Sequence, residues 1–272
     1  MYDHLVHRWL RIPYRLHVDV VQDPPHPRAT LLMVHGIGNN GHAWDNVIHG
    51  LPHNIRIITV DLLGFGRSPH PSHIRYNTHE QARSILQTYF SLGIPDQLMI
   101  VGHSLGSLVA VEIARRYPLL VKSLVLVSPP FYRPEDPATR QLIRKPDAIL
   151  RDLYTVVQKH PEDFVRVACI AMKYKLVNNV FSVTSDNVAT YMATLQAAIV
   201  NQTAMNDIEH LTLPITLVRG QLDPLVVPAN LTYLARTMPN VTLRQTLASH
   251  ELVGAMIPSV VQAVVQQLPP GQ

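Results

Sequence analysis

Leu98-Met-Ile-Val-Gly-His-Ser-Leu-Gly-Ser107 joins a short apolar run to a helical pattern through the pentapeptide Gly102-His103-Ser104-Leu105-Gly106. Leu98 to Val101 reads as a strand buried on both faces, because successive apolar residues leave neither face for solvent. Beyond it Leu105, Leu108, Val109, Glu112, Ile113 and Arg116 recur at helical spacing until Tyr117-Pro118 ends the pattern. Glycines at 102 and 106 remove Cβ atoms where the chain must reverse between strand and helix. That permits a strained backbone at Ser104 and leaves its hydroxyl projecting. The bare G-x-S-x-G pattern carries little weight alone; a strand before it and a helix after it make Ser104 a candidate nucleophile.

The same strand and helix signals repeat outward from this stretch. Leu31–Val34, Ile55–Val60, Leu124–Val127 and Ile215–Val218 are further short apolar runs. Segments of helical character lie near His42–Gly50 and Thr78–Leu92. Strands alternating with helices imply βαβ units and a mainly parallel central sheet, an α/β fold. At the start, Ile12, Tyr14, Leu16, Val18 and Val20 alternate with polar residues or proline, as in a strand with one wet face, up to the turn Asp23–Arg28. The alternation fails from Pro129 to about Asn206, where Asp147–Lys159, Glu162–Leu176 and Asn187–Met205 carry helical spacing and no strand is evident. Residues 129–206 therefore read as a helical insertion capping a core made of 1–128 and 207–272. After it Leu213–Gly220 resumes a strand, Pro228–Thr237 reads helical, Val241–Gln245 alternates, and Glu251–Gln267 forms a last helix.

Composition narrows the function. The chain has 272 residues, of which 47% are hydrophobic and 15% charged, enough apolar material for a sizeable core. A formal charge of +4 with no Lys/Arg run longer than a pair gives no clustered basic face for nucleic acid. One cysteine, Cys169, allows neither an intrachain disulfide nor a multi-thiolate metal site, which fits a reducing compartment. Charges and histidines interrupt the first residues where a signal peptide needs an apolar run, and no segment reaches membrane-spanning length, so a cytoplasmic location is expected.

A serine hydroxyl needs an adjacent base, and that base needs a third group to hold its tautomer and stabilise its cation. If acid and base follow the serine in chain order, as in strand-turn-helix hydrolases, the histidines left are His160, His210 and His250. The first two belong to the insertion or its end; only His250 follows a late strand. Asp223 is the one carboxylate between His210 and His250, directly after the run ending at Val218, where open sheets present functional side chains. An Asp-Pro turn and a surface histidine are the bland alternatives. Acyl transfer also needs donors for a developing oxyanion, and the glycine-rich segment Val34–Trp44 offers the N–H of Ile37 opposite that of Leu105. Neither a dinucleotide fingerprint nor a lysine-bearing phosphate loop is present there.

Taken together these segments resemble the α/β-hydrolase fold superfamily, and within it the capped single-domain esterases. His35-Gly36 with its loop, Asp61–Ser68, Gly102–Gly106, Gly220–Asp223 and His250 match that family's segments in order. Ser107 stands where a second glycine often follows the elbow, and Ile37 puts a bulky side chain beside the oxyanion site. The resemblance implies a cofactor-free hydrolase of carboxylic esters of small to medium, largely apolar substrates, with Ser104, Asp223 and His250 as the working residues. It equally admits thioester, lactone, activated-amide, carbon–carbon bond and hydroxynitrile cleavage, or perhydrolysis; a non-catalytic small-molecule receptor on the same scaffold is the alternative from another class. Trp44, Phe131, Tyr132, Met172 and Tyr191 are candidate substrate contacts. Asp61 and His35 read as structural, His103 as a packing or hydrogen-bonding residue, and His70, His73 and His79 match no metal-ligand spacing, so no metal is expected. Oligomeric state is left open.

Overall fold

The computed structural model describes residues 4–132, 180, 182, 184 and 187–270. Seven strands, β1 (Val18–Gln22), β2 (Thr30–Val34), β3 (Arg56–Val60), β4 (Leu98–His103), β5 (Val121–Val127), β6 (Ile215–Gly220) and β7 (Val241–Thr246), form one sheet in the order β1-β3-β2-β4-β5-β6-β7. Only β1 runs antiparallel to its neighbour. The chain steps from β2 to β3 in one direction, returns across β2 to β4, and continues the other way. The reversal between β2 and β4 opens a crevice at their carboxyl ends, where such sheets bind ligands.

Both sheet faces are covered, which is why the central strands read as unbroken apolar runs. Leu32, Val34, Ile58, Val60, Ile100, Leu124, Leu126 and Leu217 point into a core shared with α2 (Thr78–Ser91), α3 (Leu105–Arg116) and α6 (Pro228–Thr237). Their alternates Leu31, Met33, Ile57, Met99, Val101, Val125, Val127 and Val218 face a second core with α1 (Asp45–Ile48) and α7 (Met256–Gln267). Each such aliphatic side chain contributes about 1.5–3 kcal/mol on burial. The start of α2 is fixed by Asn77, whose side chain accepts the Glu80 N–H at 2.9 Å. Among the described residues no helix is long and apolar enough to cross a membrane.

The first strand is shorter than its alternation predicts. Tyr14 and Leu16 are buried as expected, but the N–H of Leu16 goes to the Thr88 hydroxyl at 2.8 Å and that of His17 to the Ser68 hydroxyl at 2.9 Å. Side chains thus take donors that a neighbouring strand would have used, and pairing with β3 begins at Val18. Asn187–Met205 forms α4 (Val188–Thr194), a π-helical turn Leu195–Val200 and the start of α5 (Ala204–Ile208), not one helix. α7 begins at Met256, because the preceding loop includes Gly254 at φ +54°. The helices expected over Asp147–Lys159 and Glu162–Leu176 lie outside the described residues.

Two glycines separate contact from conformation. A Cβ on Gly106 would lie 2.1 Å from the Val34 carbonyl oxygen, whereas one on Gly93, at φ +69°, meets nothing within 4 Å. We expect Gly106→Ala to lower unfolding stability by about 3 kcal/mol or more and Gly93→Ala by about 1 kcal/mol, read from urea midpoints. Similar losses at the two positions would refute the contact argument.

Candidate active site

Ser104 caps β4 and precedes α3 with φ 51° and ψ −115°, outside the regions ordinary L-residues occupy. Its surroundings hold it there. The Ser104 N–H donates to Val127 O at 2.9 Å, continuing the ladder with β5, and the Ser107 N–H returns to Ser104 O at 3.0 Å. The Ser107 hydroxyl donates to Gly102 O at 2.8 Å, so serine at this position ties the elbow from beneath. A Cβ on Gly102 would strike Gly106 O at 2.5 Å, and one on Gly36 would stand 3.2 Å from Ser104 Cβ. The loop after β2 and the elbow after β4 therefore touch. Neither the Ile37 N–H nor the Leu105 N–H has a protein acceptor among the described residues; Leu105 opens α3, where the first N–H groups lack intrahelical partners.

Asp223 follows β6 and His250 follows β7, on neighbouring parallel strands whose carboxyl ends lie together. A close approach makes this possible: a Cβ on Gly220 would sit 2.2 Å from Ala248 O. His250 Nδ1 lies 3.0 and 2.9 Å from the two Asp223 carboxylate oxygens. Desolvation works against both charged forms, yet the hydrogen bond and opposite charge outweigh it. The His250 pKa ends above its ordinary value and that of Asp223 below. The Leu225 N–H, 2.9 Å from Asp223 Oδ1, adds to the carboxylate's stabilisation. Behind them the His103 ring is buried, and its Nε2 lies 2.9 Å from the carbonyl oxygen of His250. A carbonyl only accepts, so His103 carries its proton on Nε2 and ties the His250 loop to the elbow.

The loop after β2 is welded to the one after β3. His35 Nε2 accepts the Leu62 N–H at 2.9 Å, so its Nδ1–H donates to Gly36 O at 2.7 Å. Asp61 accepts the N–H groups of Gly41 at 2.7 Å and Arg67 at 2.8 Å, the structural role its sequence position suggested.

Ser104 and His250 line one cavity of about 80 Å³ together with Ile37, Tyr132, Tyr191, Leu195, Ile199 and Leu225. Of the five candidate substrate contacts, Tyr132 and Tyr191 line this cavity. Trp44 and Phe131 do not: Trp44 is wholly buried with Leu31 and Met33 against the opposite sheet face, and Phe131 points into the other core while its neighbour Tyr132 turns to the cavity. Met172 lies outside the described residues. Asn39, Leu225 and Glu251 were missed, although each stands within two residues of a residue already singled out. Leu195 and Ile199, one helical turn apart, needed the tertiary packing. A larger cleft of about 560 Å³ opens at the amino ends of β2, β4 and β5 around Thr30, Met99 and Ser123; its lining contains no histidine or cysteine. Among the described residues no cluster of histidine, cysteine or carboxylates is fit to hold a metal.

A sequence model described as alpha/beta hydrolase fold matches residues 29–252. The (lyso)-N-acylphosphatidylethanolamine lipase of Homo sapiens is 32% identical over 169 residues, which are 59% of this chain and 48% of that protein. The Arabidopsis thaliana protein named "Probable lysophospholipase BODYGUARD 4" is 31% identical over 108 residues, 39% of this chain and 26% of its own. The chain thus matches between about a quarter and a half of these relatives' length. Among solved structures, the enol-lactonase of Burkholderia xenovorans LB400 superposes with a TM-score of 0.70 at 18% identity, covering 92% of this chain and 95% of that one. A thermophilic esterase from Thermogutta terrifontis gives 0.68 at 20% identity, covering 93% and 92%.

Burial holds the His35 pKa down at about 4, against an ordinary 6.5, despite the Gly36 hydrogen bond and the Asp61 charge. A second proton has nowhere to go, since Nε2 already accepts from Leu62. Between pH 6.5 and about 4 the unfolded chain binds this proton and the folded one does not, so folding stability falls as pH falls. We expect His35→Gln to flatten that part of the stability profile in urea unfolding at several pH values. An unchanged slope would reject His35 as its source.

Proposed function

Because the chain belongs to the α/β-hydrolase fold family, we propose that it is a serine hydrolase of carboxylic esters, working through an acyl-enzyme on Ser104. The observation that carries this reading is the doubly contacted His250–Asp223 pair, whose imidazole faces the same cavity as a serine in a strained elbow. With Nδ1–H held by the carboxylate, Nε2 is the unprotonated nitrogen and the one free to take a proton.

Ser104 Oγ attacks the ester carbonyl as His250 Nε2 removes its proton. The carbonyl oxygen becomes an oxyanion between the N–H groups of Ile37 and Leu105, neither of which has an acceptor among the described residues. As the tetrahedral adduct collapses, His250 returns the proton to the departing alcohol and leaves an ester on Ser104. Water, deprotonated by the same nitrogen, then frees the acid. Asp223 stays ionised throughout, fixing the ring and offsetting the imidazolium charge. Ile37, Leu195, Ile199 and Leu225 give the acyl group an apolar wall, to which α4 and the π-helical turn after it contribute as part of the 129–206 cap. The relatives named as a (lyso)-N-acylphosphatidylethanolamine lipase and a probable lysophospholipase support a lipase- or esterase-like reading.

Ser104→Ala should lower turnover of a small p-nitrophenyl ester by about 10⁴-fold or more while the thermal unfolding curve is retained; full activity would refute the nucleophile. Asp223→Asn should cost about 10³–10⁴ in kcat by releasing the ring's tautomer. As a base, His250 must be neutral, and its pKa is raised above 6.5. kcat/KM should therefore be full on the alkaline side and fall tenfold per pH unit on acidification, with a midpoint above 6.5. A flat profile through that range contradicts the assignment.

A further inference from the structure

His250 stands in a loop that is sparsely tied to the rest of the backbone. Among the described residues neither Ser249 nor His250 enters a backbone–backbone hydrogen bond. Two side chains hold His250 instead: Asp223 on its ring, and His103, whose Nε2–H donates to its carbonyl oxygen at 2.9 Å. His103 is 2% exposed, and its ring centroid lies 5.2 Å from that of His250. The opposite edge of the same ring packs on the loop after β2, where a Cβ added to Gly36 would stand 2.9 Å from Nδ1. His103 is also the last residue of β4, in register with Val127 of β5, and Ser104 follows it directly. One buried ring therefore touches the His250 loop and the Ile37 loop from a backbone continuous with Ser104.

Resting on the serine-hydrolase reading, we propose that His103 is the positioning residue of this site: its Nε2–H bond to the His250 carbonyl sets the reach of the His250 ring toward Ser104 and keeps that ring against Asp223. It acts through His250 and takes no part in proton transfer. The position calls for a buried donor that brings no charge. Burial first, and the His250 charge after it, hold the His103 pKa below its ordinary value against the opposing pull of Glu251, the hydrogen bond and Asp223, so the ring stays neutral when His250 becomes an imidazolium. Asp223 and Glu251 are the charged groups that act on the His250 ring, and both favour its cation. A neutral neighbour leaves that balance undisturbed.

Three substitutions separate positioning from packing. His103→Gln keeps an amide N–H at the reach of Nε2, whereas His103→Leu has no donor and His103→Asn is too short to span the gap. With a small p-nitrophenyl ester, we expect kcat to fall about 10–100-fold in the Leu and Asn variants while KM stays within about twofold. The midpoint of their kcat/KM pH profiles should move down toward 6.5 as the ring loosens from Asp223. His103→Gln should recover most of kcat and the parent midpoint. If His103→Leu does not fold, as read by circular dichroism, His103→Asn carries the comparison. Parental kcat in the variants without the bond, a loss of kcat with the midpoint unmoved, or a Gln variant no better than they are would overturn the proposal. The His250 ring titration, followed by NMR in the Ser104→Ala protein, asks the same question without turnover: adding His103→Leu or His103→Asn should lower its pKa, and an unchanged value refutes the positioning role. Labelling of Ser104 by a fluorophosphonate probe tests the hydrolase reading separately; its absence would refute that reading and leave the titration test standing.

Discussion

The missing side chain at residue 106 lets the first turn of α3 rest on the carbonyl end of β2, and the rest of the site follows from that contact. With a Cβ only 2.1 Å from Val34 O, any other residue would lift the helix away. Seated there, α3 holds Ser104 at positive φ and brings the elbow against Gly36, and the Ile37 and Leu105 N–H groups have no protein acceptor among the described residues. Backbone strain at Ser104 is thus maintained by the contacts of α3 with β2 and of the elbow with Gly36, which over-determine one conformation.

A second layer of polar contacts makes the loops rigid where helices and strands do not reach. His35 bridges Leu62 and Gly36, Asp61 gathers Gly41 and Arg67, and Gln81 both donates to and accepts from Leu63. On the other side His103 ties the His250 loop to the elbow. The contacts with Leu62, Gly41, Leu63 and His250 each pair a buried side chain with the backbone of another loop. Buried polar groups paired in this way fix the loops to one another.

The alternation of apolar runs with helical segments was enough to place the inner strands to within a residue or three, because strands buried on both faces have a composition that helices of this length lack. It failed at β1, where side-chain hydroxyls took over the N–H groups of Leu16 and His17, and at residues 187–208, where helical spacing concealed a π-helical turn. Local sequence registers periodicity; it does not register which partner a backbone N–H will find. The same limit explains Trp44 and Phe131, aromatic residues adjacent to candidate site segments that the sheet turns into its two cores.

From its letters alone, the chain specified a parallel α/β sheet, a serine between glycines at a strand–helix turn, and one carboxylate and one histidine in the order a hydrolase uses. Those are matters of period, spacing and residue chemistry, which local sequence carries. Tertiary structure alone decided that Asp223 and His250 meet at 2.9 Å across neighbouring strands and that Tyr132 and not Phe131 lines the cavity. Each of these depends on contacts between residues far apart in the chain, and sheet order together with side-chain direction fixes them.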